Sequence, residues 1–347
     1  MISHSRPSLD DREVQAADSV IRSGQLASGS EVAAFERETA AFVGVPHAIA
    51  VSSGTAALHL ALLALGAGSG DEVILPSYVC AALLYAVRQT GAEPRFADIR
   101  KEDFNLDPDD LPRKITKCTK ALLLPHMFGM AADIREICDF GIPLIEDCAM
   151  AFGAHYEGKP LGGFGLLSVA SFYATKMLTT GEGGMIFTRS GDLAEKVRNL
   201  REYDHKEDSV VHYNCKMTDM AAAIGRVQLK KLGGFIAARK RLAGLYEQAL
   251  SHLPLCLPLP IPDREHIFYR YAVRTPKPVQ DYLTDFERRG LDVVRPVFRP
   301  LHTRGSADLC PVAEDVFHHT LSLPIYPALS EEEARSVAQV GSEVLGQ

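Results

Sequence analysis

Apolar and polar positions along this chain follow two different periods. Between residues 47 and 188, short segments that are apolar on both faces predict buried strands. Longer segments between them carry apolar residues at helical spacing and predict amphipathic helices. The predicted strands are residues 47–51, 72–75, 93–98, 120–124, 142–145, 170–173 and 184–188, and the predicted helices are 55–65, 80–90, 132–140 and 192–202. This alternation predicts an α/β fold with a mostly parallel sheet of these seven strands.

The regions outside this alternation have other patterns. Residues 1–25 predict an arm and a first helix, and residues 31–42 predict a second helix. The amphipathic segments 218–232 and 235–249 predict two connecting helices. The proline-rich segment 253–260 excludes a helix, and residues 268–273 predict a strand of a smaller α+β domain. We therefore predict an N-terminal arm and helix (1–25), a large domain (26–235) and a small C-terminal domain (236–347).

Composition narrows the classes of function. The 347 residues are 46% hydrophobic and 23% charged, as in an ordinary globular protein. A net charge of −7 without a long basic segment argues against nucleic acid as a partner. The seven scattered cysteines form no C-x-x-C pair, which argues against a disulfide framework and a zinc site. No segment reaches the about 18 apolar residues of a membrane helix, so we expect a cytoplasmic protein without a membrane partner.

Polar residues follow three of the predicted strands. The Ser-Ser-Gly-Thr turn at residues 52–55 joins a strand to a helix, where free backbone N–H groups suit a phosphate. An ordinary helix N-cap is the alternative interpretation of this turn. Asp147 follows the strand 142–145, and Lys176 follows the strand 170–173. Because open α/β sheets bind ligands beyond the carboxyl ends of their strands, we expect these three elements to meet.

A lysine and a carboxylate at one sheet edge suit the chemistry of pyridoxal 5′-phosphate (PLP). The amine of Lys176 is placed to hold the cofactor aldehyde as a Schiff base. The carboxylate of Asp147 is placed to keep the pyridine nitrogen protonated, so that the ring accepts electrons. A solvated loop lysine and a helix-capping aspartate are the alternative interpretations of these two residues.

Several motifs occur in an order that is specific when they are taken together. They are Ser53-Gly54-Thr55-Ala56-Ala57-Leu58, Glu146-Asp147, Ser171-Phe172-Tyr173-Ala174-Thr175-Lys176, Gly181-Glu182-Gly183-Gly184 and Asn214-Cys215-Lys216-Met217-Thr218-Asp219. With these motifs the chain resembles the DegT/DnrJ/EryC1/StrS family of PLP-dependent sugar aminotransferases, from residue 23 to residues 321–324. The resemblance implies the fold-type I architecture, PLP as the cofactor and a homodimer with a shared active site.

The resemblance also implies roles for individual residues. Lys176 is the expected catalytic residue, and Asp147 is the expected partner of the pyridine nitrogen. The expected phosphate ligands are Gly54, Thr55, the N–H of Ala56, Ser171 and, from the second subunit, Asn214. The candidate substrate residues are Tyr78, His126, Arg299 and His302, with Arg295 and Arg304 near the last two as further candidates for a nucleotide diphosphate. A structural histidine and a solvated basic segment are the alternatives for these candidates, and no metal site is expected.

Three positions depart from the family pattern. Cys80 stands where an aromatic residue usually stacks on the cofactor ring, and either Cys80 packs on the ring or Tyr78 takes that role. Met150 stands where glutamine or histidine often bonds the O3′ atom of the cofactor, and methionine cannot donate that bond. Lys216 replaces a common arginine, so a point charge replaces a bidentate group.

The resemblance implies transfer of an amino group from glutamate or glutamine to a keto sugar, and a nucleotide-linked sugar is the expected acceptor. Two alternatives remain within PLP chemistry, namely an aminotransferase for a cyclitol or an antibiotic precursor, and a dehydratase of a deoxysugar. Retention of Lys176 argues against the dehydratase, because enzymes of that kind typically lose this lysine. A non-catalytic PLP-binding regulator is the alternative from another class, and it would not need the lysine either.

Overall fold

The computed structural model describes residues 1–258 and 260–347. Its strands in chain order are β1 His47–Val51, β2 Glu72–Pro76, β3 Glu93–Ala97, β4 Thr119–Pro125, β5 Leu144–Asp147, β6 His155–Tyr156, β7 Lys159–Pro160, β8 Leu167–Ser171, β9 Gly184–Thr188, β10 Tyr271–Arg274 and β11 Thr320–Leu323. Its α-helices are α1 Asp11–Ser23, α2 Ser30–Val43, α3 Gly54–Ala64, α4 Ala82–Thr90, α5 Ile134–Cys138, α6 Gly191–Arg201, α7 Asp219–Leu250, α8 Gln280–Arg288, α9 Pro311–His319 and α10 Glu331–Leu345.

The central sheet has seven strands in the order β1-β9-β8-β5-β4-β2-β3. The β5–β8, β4–β5, β2–β4 and β2–β3 pairs are parallel, whereas β9 runs antiparallel to both of its neighbours. All seven strands overlap the predicted segments. The prediction of a mostly parallel, seven-stranded α/β sheet is therefore confirmed.

Side chains of the sheet alternate between two apolar layers, one on each face. In β1, Ile49 and Val51 join a cluster with α3, α4 and α6, whereas Ala48 and Ala50 join a cluster with α2 and α7. This two-sided burial explains why the strands are apolar at successive positions instead of alternating with polar residues. A third apolar cluster joins the second half of α7 to the small β10–β11 sheet, α8 and α10.

Some element boundaries differ from the predictions. The segments 218–232 and 235–249 form one helix, α7, which runs through Gly233 and Gly234 because buried residues on both sides continue one stripe. That packing outweighs the cost of about 1 kcal/mol that each interior glycine carries. The helix predicted at 132–140 is only Ile134–Cys138, and the strand predicted at 268–273 begins at Tyr271. The division into units 1–25, 26–235 and 236–347 stays a prediction, and α7 crosses its second boundary.

None of the helices in the described part of the chain combines the length and the apolar character that a bilayer crossing requires.

Candidate active site

A cavity of about 550 Å³ lies beyond the carboxyl ends of the central strands. It is bounded by the start of α3 after β1, the end of β5, the end of β8 and the segment that follows β8. Nine of the predicted site residues line it: Gly54, Thr55, Cys80, Asp147, Met150, Ser171, Lys176, Arg299 and Arg304. The topology thus brings together groups that are far apart in sequence, as the carboxyl-end rule predicts.

The turn before α3 approaches β8 very closely. A Cβ atom added at Gly54 would lie 2.7 Å from the Cβ atom of Ser171, so only glycine fits there. A Cβ atom added at Gly184, in the neighbouring β9, would overlap the carbonyl group of Ser53. Two glycines therefore let the positive end of the α3 dipole and the Ser171 hydroxyl share one corner of the cavity, which suits a phosphate.

The structure differs from the prediction at Ala56. Ser53 is the N-cap of α3, and its side chain accepts a hydrogen bond of 3.1 Å from the N–H of Ala56. Ala56 is also absent from the cavity lining. Its N–H group is committed to the cap, and the other groups of the turn remain the candidates for the phosphate.

Asp147 lies at the end of β5 with only 5% of its surface exposed. One carboxylate oxygen accepts a hydrogen bond of 2.9 Å from the N–H of Ala149. Burial raises the pKa of Asp147, although this hydrogen bond and the positive charge of Lys176 oppose the shift. A buried carboxylate with so little compensation would be stabilised by a cation placed in the cavity.

Lys176 follows β8 in a tight turn, and its N–H donates to the carbonyl oxygen of Tyr173 at 2.9 Å. Its Nζ atom lies 5.2 Å from the centroid of the Tyr269 ring. Burial would raise the pKa of Tyr269, but Lys176, Arg270, Thr175 and Arg239 together lower it to about 8. The amine of Lys176 therefore lies against an aromatic face whose hydroxyl group ionises more readily than an ordinary phenol.

The backbone of residues 267–270 is held from two sides. The N–H of Ile267 donates to the carbonyl oxygen of Gly129 at 2.9 Å. The buried guanidinium of Arg239, in α7, donates to the carbonyl oxygens of Phe268, Tyr269 and Ile325 at 3.2, 3.1 and 2.7 Å. These contacts fix the segment that carries Tyr269 over Lys176.

Three of the four candidate substrate residues do not line the cavity. Tyr78 is fully buried, with its ring centroid 6.2 Å from that of Phe104 and 6.4 Å from that of Phe128. His126 is buried beside Glu146, with 3.3 Å between Nε2 and a carboxylate oxygen. His302 is buried, with Nδ1 2.5 Å from the Ser77 hydroxyl and Nε2 2.9 Å from Glu314. These three side chains are committed to the protein interior, whereas Arg299 and the further candidate Arg304 line the cavity.

Two departures from the family pattern lie at the cavity, and a third lies outside its lining. Cys80 and Met150 line the cavity, so the thiol and not the Tyr78 ring faces the space where a cofactor ring would bind. Lys216 lies outside the lining, and its amine is 2.5 Å from a carboxylate oxygen of Asp204. Asn214 is exposed and also lies outside the lining. Its expected contact with the cofactor of a second subunit stays a prediction.

Among the cavity residues to which the sequence analysis gave no role are Tyr173, Thr175, Tyr269, Arg270 and Phe298. Tyr173 and Thr175 stand inside the lysine motif, so their proximity was a usable signal. Tyr269 and Arg270 were assigned to a strand of the small domain, and no spacing in the sequence links them to Lys176. Phe298 is 86% exposed at the cavity, and the signal that the sequence offered for it was its place beside Arg299.

The parallel strands β5 and β8 carry an aspartate at the end of one and a lysine after the other, which is the arrangement of a fold-type I PLP enzyme, and the chain is a PLP-dependent aminotransferase of this fold. The particular family follows from the sequence as a whole. The chain belongs to the DegT/DnrJ/EryC1/StrS aminotransferase family, whose model matches residues 7–340.

Similar proteins cover nearly the whole chain. GDP-perosamine synthase of Vibrio cholerae is 35% identical over 97% of each chain. The dTDP-3-amino-3,4,6-trideoxy-alpha-D-glucose transaminase of Micromonospora megalomicea subsp. nigra is 34% identical over 96% of this chain and 94% of its own. Among solved structures, the aminotransferase TlmJ from Streptoalloteichus hindustanus superposes with a TM-score of 0.95 at 33% identity, over 99% of both chains.

The cavity residues fit PLP, the cofactor of this family. The glycine-lined corner at Ser171 suits the phosphate, and Asp147 has a carboxylate oxygen left for the pyridine nitrogen. When bound, PLP supplies an aldehyde for amines and a ring that accepts electrons. Lys176 would hold the cofactor and move protons, while Asp147 would keep the ring nitrogen charged.

Proposed function

We propose that this enzyme transfers an amino group from glutamate or glutamine to a keto sugar that is linked to a nucleotide diphosphate. The observation that supports this most is the set of arginines around the cavity, namely Arg270, Arg299 and Arg304. In residues 1–258 and 260–347, the side-chain hydrogen bonds of these three guanidinium groups go to His4, Thr303 and Tyr85, and none goes to a carboxylate.

Arginines without acidic partners suit an anionic ligand. The guanidinium of Arg299 bonds only to the side chain and the carbonyl oxygen of Thr303 in the described part of the chain. That of Arg304 donates to the Tyr85 hydroxyl at 3.1 Å. Both contacts are neutral and leave the positive charge uncompensated, which favours the phosphates of a nucleotide sugar.

The relatives support the same class of substrate. GDP-perosamine synthase and the dTDP-amino-sugar transaminase carry the names of nucleotide diphosphate sugars with different bases. A diphosphate is the group that both kinds of sugar share. We therefore assign Arg299 and Arg304 to the diphosphate and leave the identity of the base to the assay.

Within this proposal the chain's own residues have separate tasks. Lys176 moves the proton at the carbon that gains or loses the amine, and Asp147 holds the charge on the pyridine nitrogen. Gly54, Thr55 and Ser171 hold the cofactor phosphate. Asn214 is proposed to complete the site of a second copy in a homodimer. The homodimer and a cytoplasmic location both stay predictions.

The test is a panel of acceptors offered to the aminated enzyme, with recovery of PLP absorbance as the signal. Nucleotide keto sugars should restore the absorbance, and keto cyclitols should not. Arg299→Ala and Arg304→Ala should each raise the KM for the nucleotide sugar by about 10-fold or more, because a charge-assisted hydrogen bond contributes about 1.5–3 kcal/mol. Arg335→Ala, at an exposed position of α10, is the matched control.

The result that would contradict the proposal is a better reaction with keto cyclitols, with no change of KM in either arginine variant. That result would favour the aminotransferase for a cyclitol or an antibiotic precursor. Failure of Lys176→Ala to abolish transfer, or a borohydride label on another lysine, would instead contradict the assignment of the catalytic residue.

A further inference from the structure

The first residues of the chain reach across the small domain towards the active site. The N–H of Ile2 donates to the carbonyl oxygen of Gly290 at 2.8 Å, and the N–H of Asp292 donates to the carbonyl oxygen of Ile2 at 3.0 Å. The N–H of His4 then donates to the Asp292 carboxylate at 3.1 Å. Residues 2–4 thus form a short strap along the segment after α8, and the strap ends at the His4 ring.

The His4 ring lies between a serine and an arginine. Its Nε2 atom is 3.0 Å from the Ser322 hydroxyl and 3.0 Å from the Nη1 atom of Arg270, and its Nδ1 atom is 3.2 Å from the same Nη1 atom. Burial and the nearby charges of Arg270 and Arg239 lower the pKa of His4 to about 3. The ring is therefore neutral at neutral pH and can accept a hydrogen bond from the guanidinium.

The other side of Arg270 belongs to the active site. Arg270 lines the cavity, and its guanidinium carbon lies 5.4 Å from the centroid of the Tyr269 ring. The amine of Lys176 lies against the same ring. Its charge has no carboxylate partner in the described part of the chain. A flexible side chain of this kind loses rotamer freedom when it binds a ligand, and a neutral contact behind it reduces that loss without neutralising the charge.

We propose that His4 is a positioning residue, which holds the Arg270 guanidinium at the cavity wall so that it can bind an anionic oxygen of a substrate. The anion is either the carboxylate of the amino donor or a phosphate of the nucleotide sugar. The phosphate alternative rests on the proposed function, whereas the carboxylate alternative requires only that the enzyme accept an amino acid as donor.

The test compares His4→Ala, His4→Gln and Arg270→Ala in holoenzyme, with each half-reaction measured by itself and normalised to bound PLP. We expect His4→Ala to raise one KM by about three- to tenfold with little change in kcat, as expected for loss of part of a charge-assisted hydrogen bond. His4→Gln should recover part of the affinity, because its amide oxygen can accept from the guanidinium. Ser3→Ala, at an exposed position of the strap, is the matched control.

The double variant decides whether His4 acts through Arg270. If it does, His4→Ala should add no further rise in KM in the Arg270→Ala background, since coupled residues are not additive. A rise for the amino acid identifies the carboxylate, and a rise for the nucleotide sugar identifies the phosphate. If His4→Ala lowers only thermal stability, or if its effect on KM adds fully to that of Arg270→Ala, the proposal is wrong. A wild-type enzyme that reacts with the amino acid but with no nucleotide sugar contradicts the proposed function alone.

Discussion

Glu146 is the fully buried neighbour of Asp147, and it anchors a loop behind the active site. One of its carboxylate oxygens accepts hydrogen bonds from the N–H groups of Phe164 and Gly165 at 2.7 and 2.5 Å. The other accepts from the N–H of Gly162 at 3.0 Å and lies 3.3 Å from Nε2 of His126. Because the Nδ1 atom of His126 accepts from the N–H of Ala132, its Nε2 atom carries the proton and donates to Glu146.

The change Glu146→Gln keeps the size of the side chain and replaces one acceptor with a donor. Whichever way the amide is turned, its NH₂ group faces two N–H donors, which therefore lose their acceptor. A change of the His126 tautomer does not restore the pairing. It would place the ring proton on Nδ1, where it faces the N–H of Ala132, and both of these donors would then lack an acceptor. Each buried donor left unpaired costs about 1–3 kcal/mol, so we expect a loss of about 2–6 kcal/mol in the free energy of unfolding.

The assay is urea unfolding at fixed protein and PLP concentrations, with Glu195→Gln as the control. Glu195 is exposed in α6, where glutamate and glutamine have similar helix propensities. Burial would raise the pKa of Glu146, but His126 and the loop N–H groups hold it below its ordinary value of 4.5. The ionised carboxylate therefore stabilises the fold above that value, and this contribution is lost as the pH falls through the lowered pKa.

The stability difference between wild type and Glu146→Gln should thus be full at neutral pH and shrink as the pH falls below 4.5. A loss at neutral pH no larger than that of Glu195→Gln would refute the argument. So would a difference that stays constant through the acid range, because the effect would then not depend on the charge.

Three further predictions concern the cavity. Asp147→Asn should slow turnover by at least about 100-fold, equal to a barrier increase of about 2.7 kcal/mol, in a single-turnover assay, and near-normal turnover would contradict its role. Gly184→Ala should weaken PLP retention on dialysis, because its Cβ would displace the Ser53 carbonyl group that begins the phosphate corner, and unchanged retention would show that the turn can move freely. Cys80→Phe combined with Met150→Gln should slow PLP loss, and faster loss would show that the pocket compensates elsewhere.

The sequence by itself determined the sheet and the groups at its edge. Two-sided burial makes the strands continuously apolar, and parallel strands end at one edge, so Asp147, Lys176 and the turn at 52–55 were predicted to meet without knowledge of distant contacts. Tyr173 and Thr175 also line the cavity, because they lie in the lysine motif that follows β8. The sequence did not determine that α7 is one helix. The glycines at residues 233 and 234 predicted a break, and only the packing on both sides shows that the helix continues.

The tertiary structure decided which side chains face the cavity and which are committed elsewhere. Whether Cys80 or Tyr78 faces the cavity depends on how the segment after β2 turns, and a local pattern does not specify that direction. Tyr269 and Arg270 come to the cavity from the segment before β10, and His4 contacts Arg270 from the start of the chain. Their positions depend on long-range contacts, such as those of Arg239, which leave no periodic signal in the sequence because each joins segments that fold as separate elements.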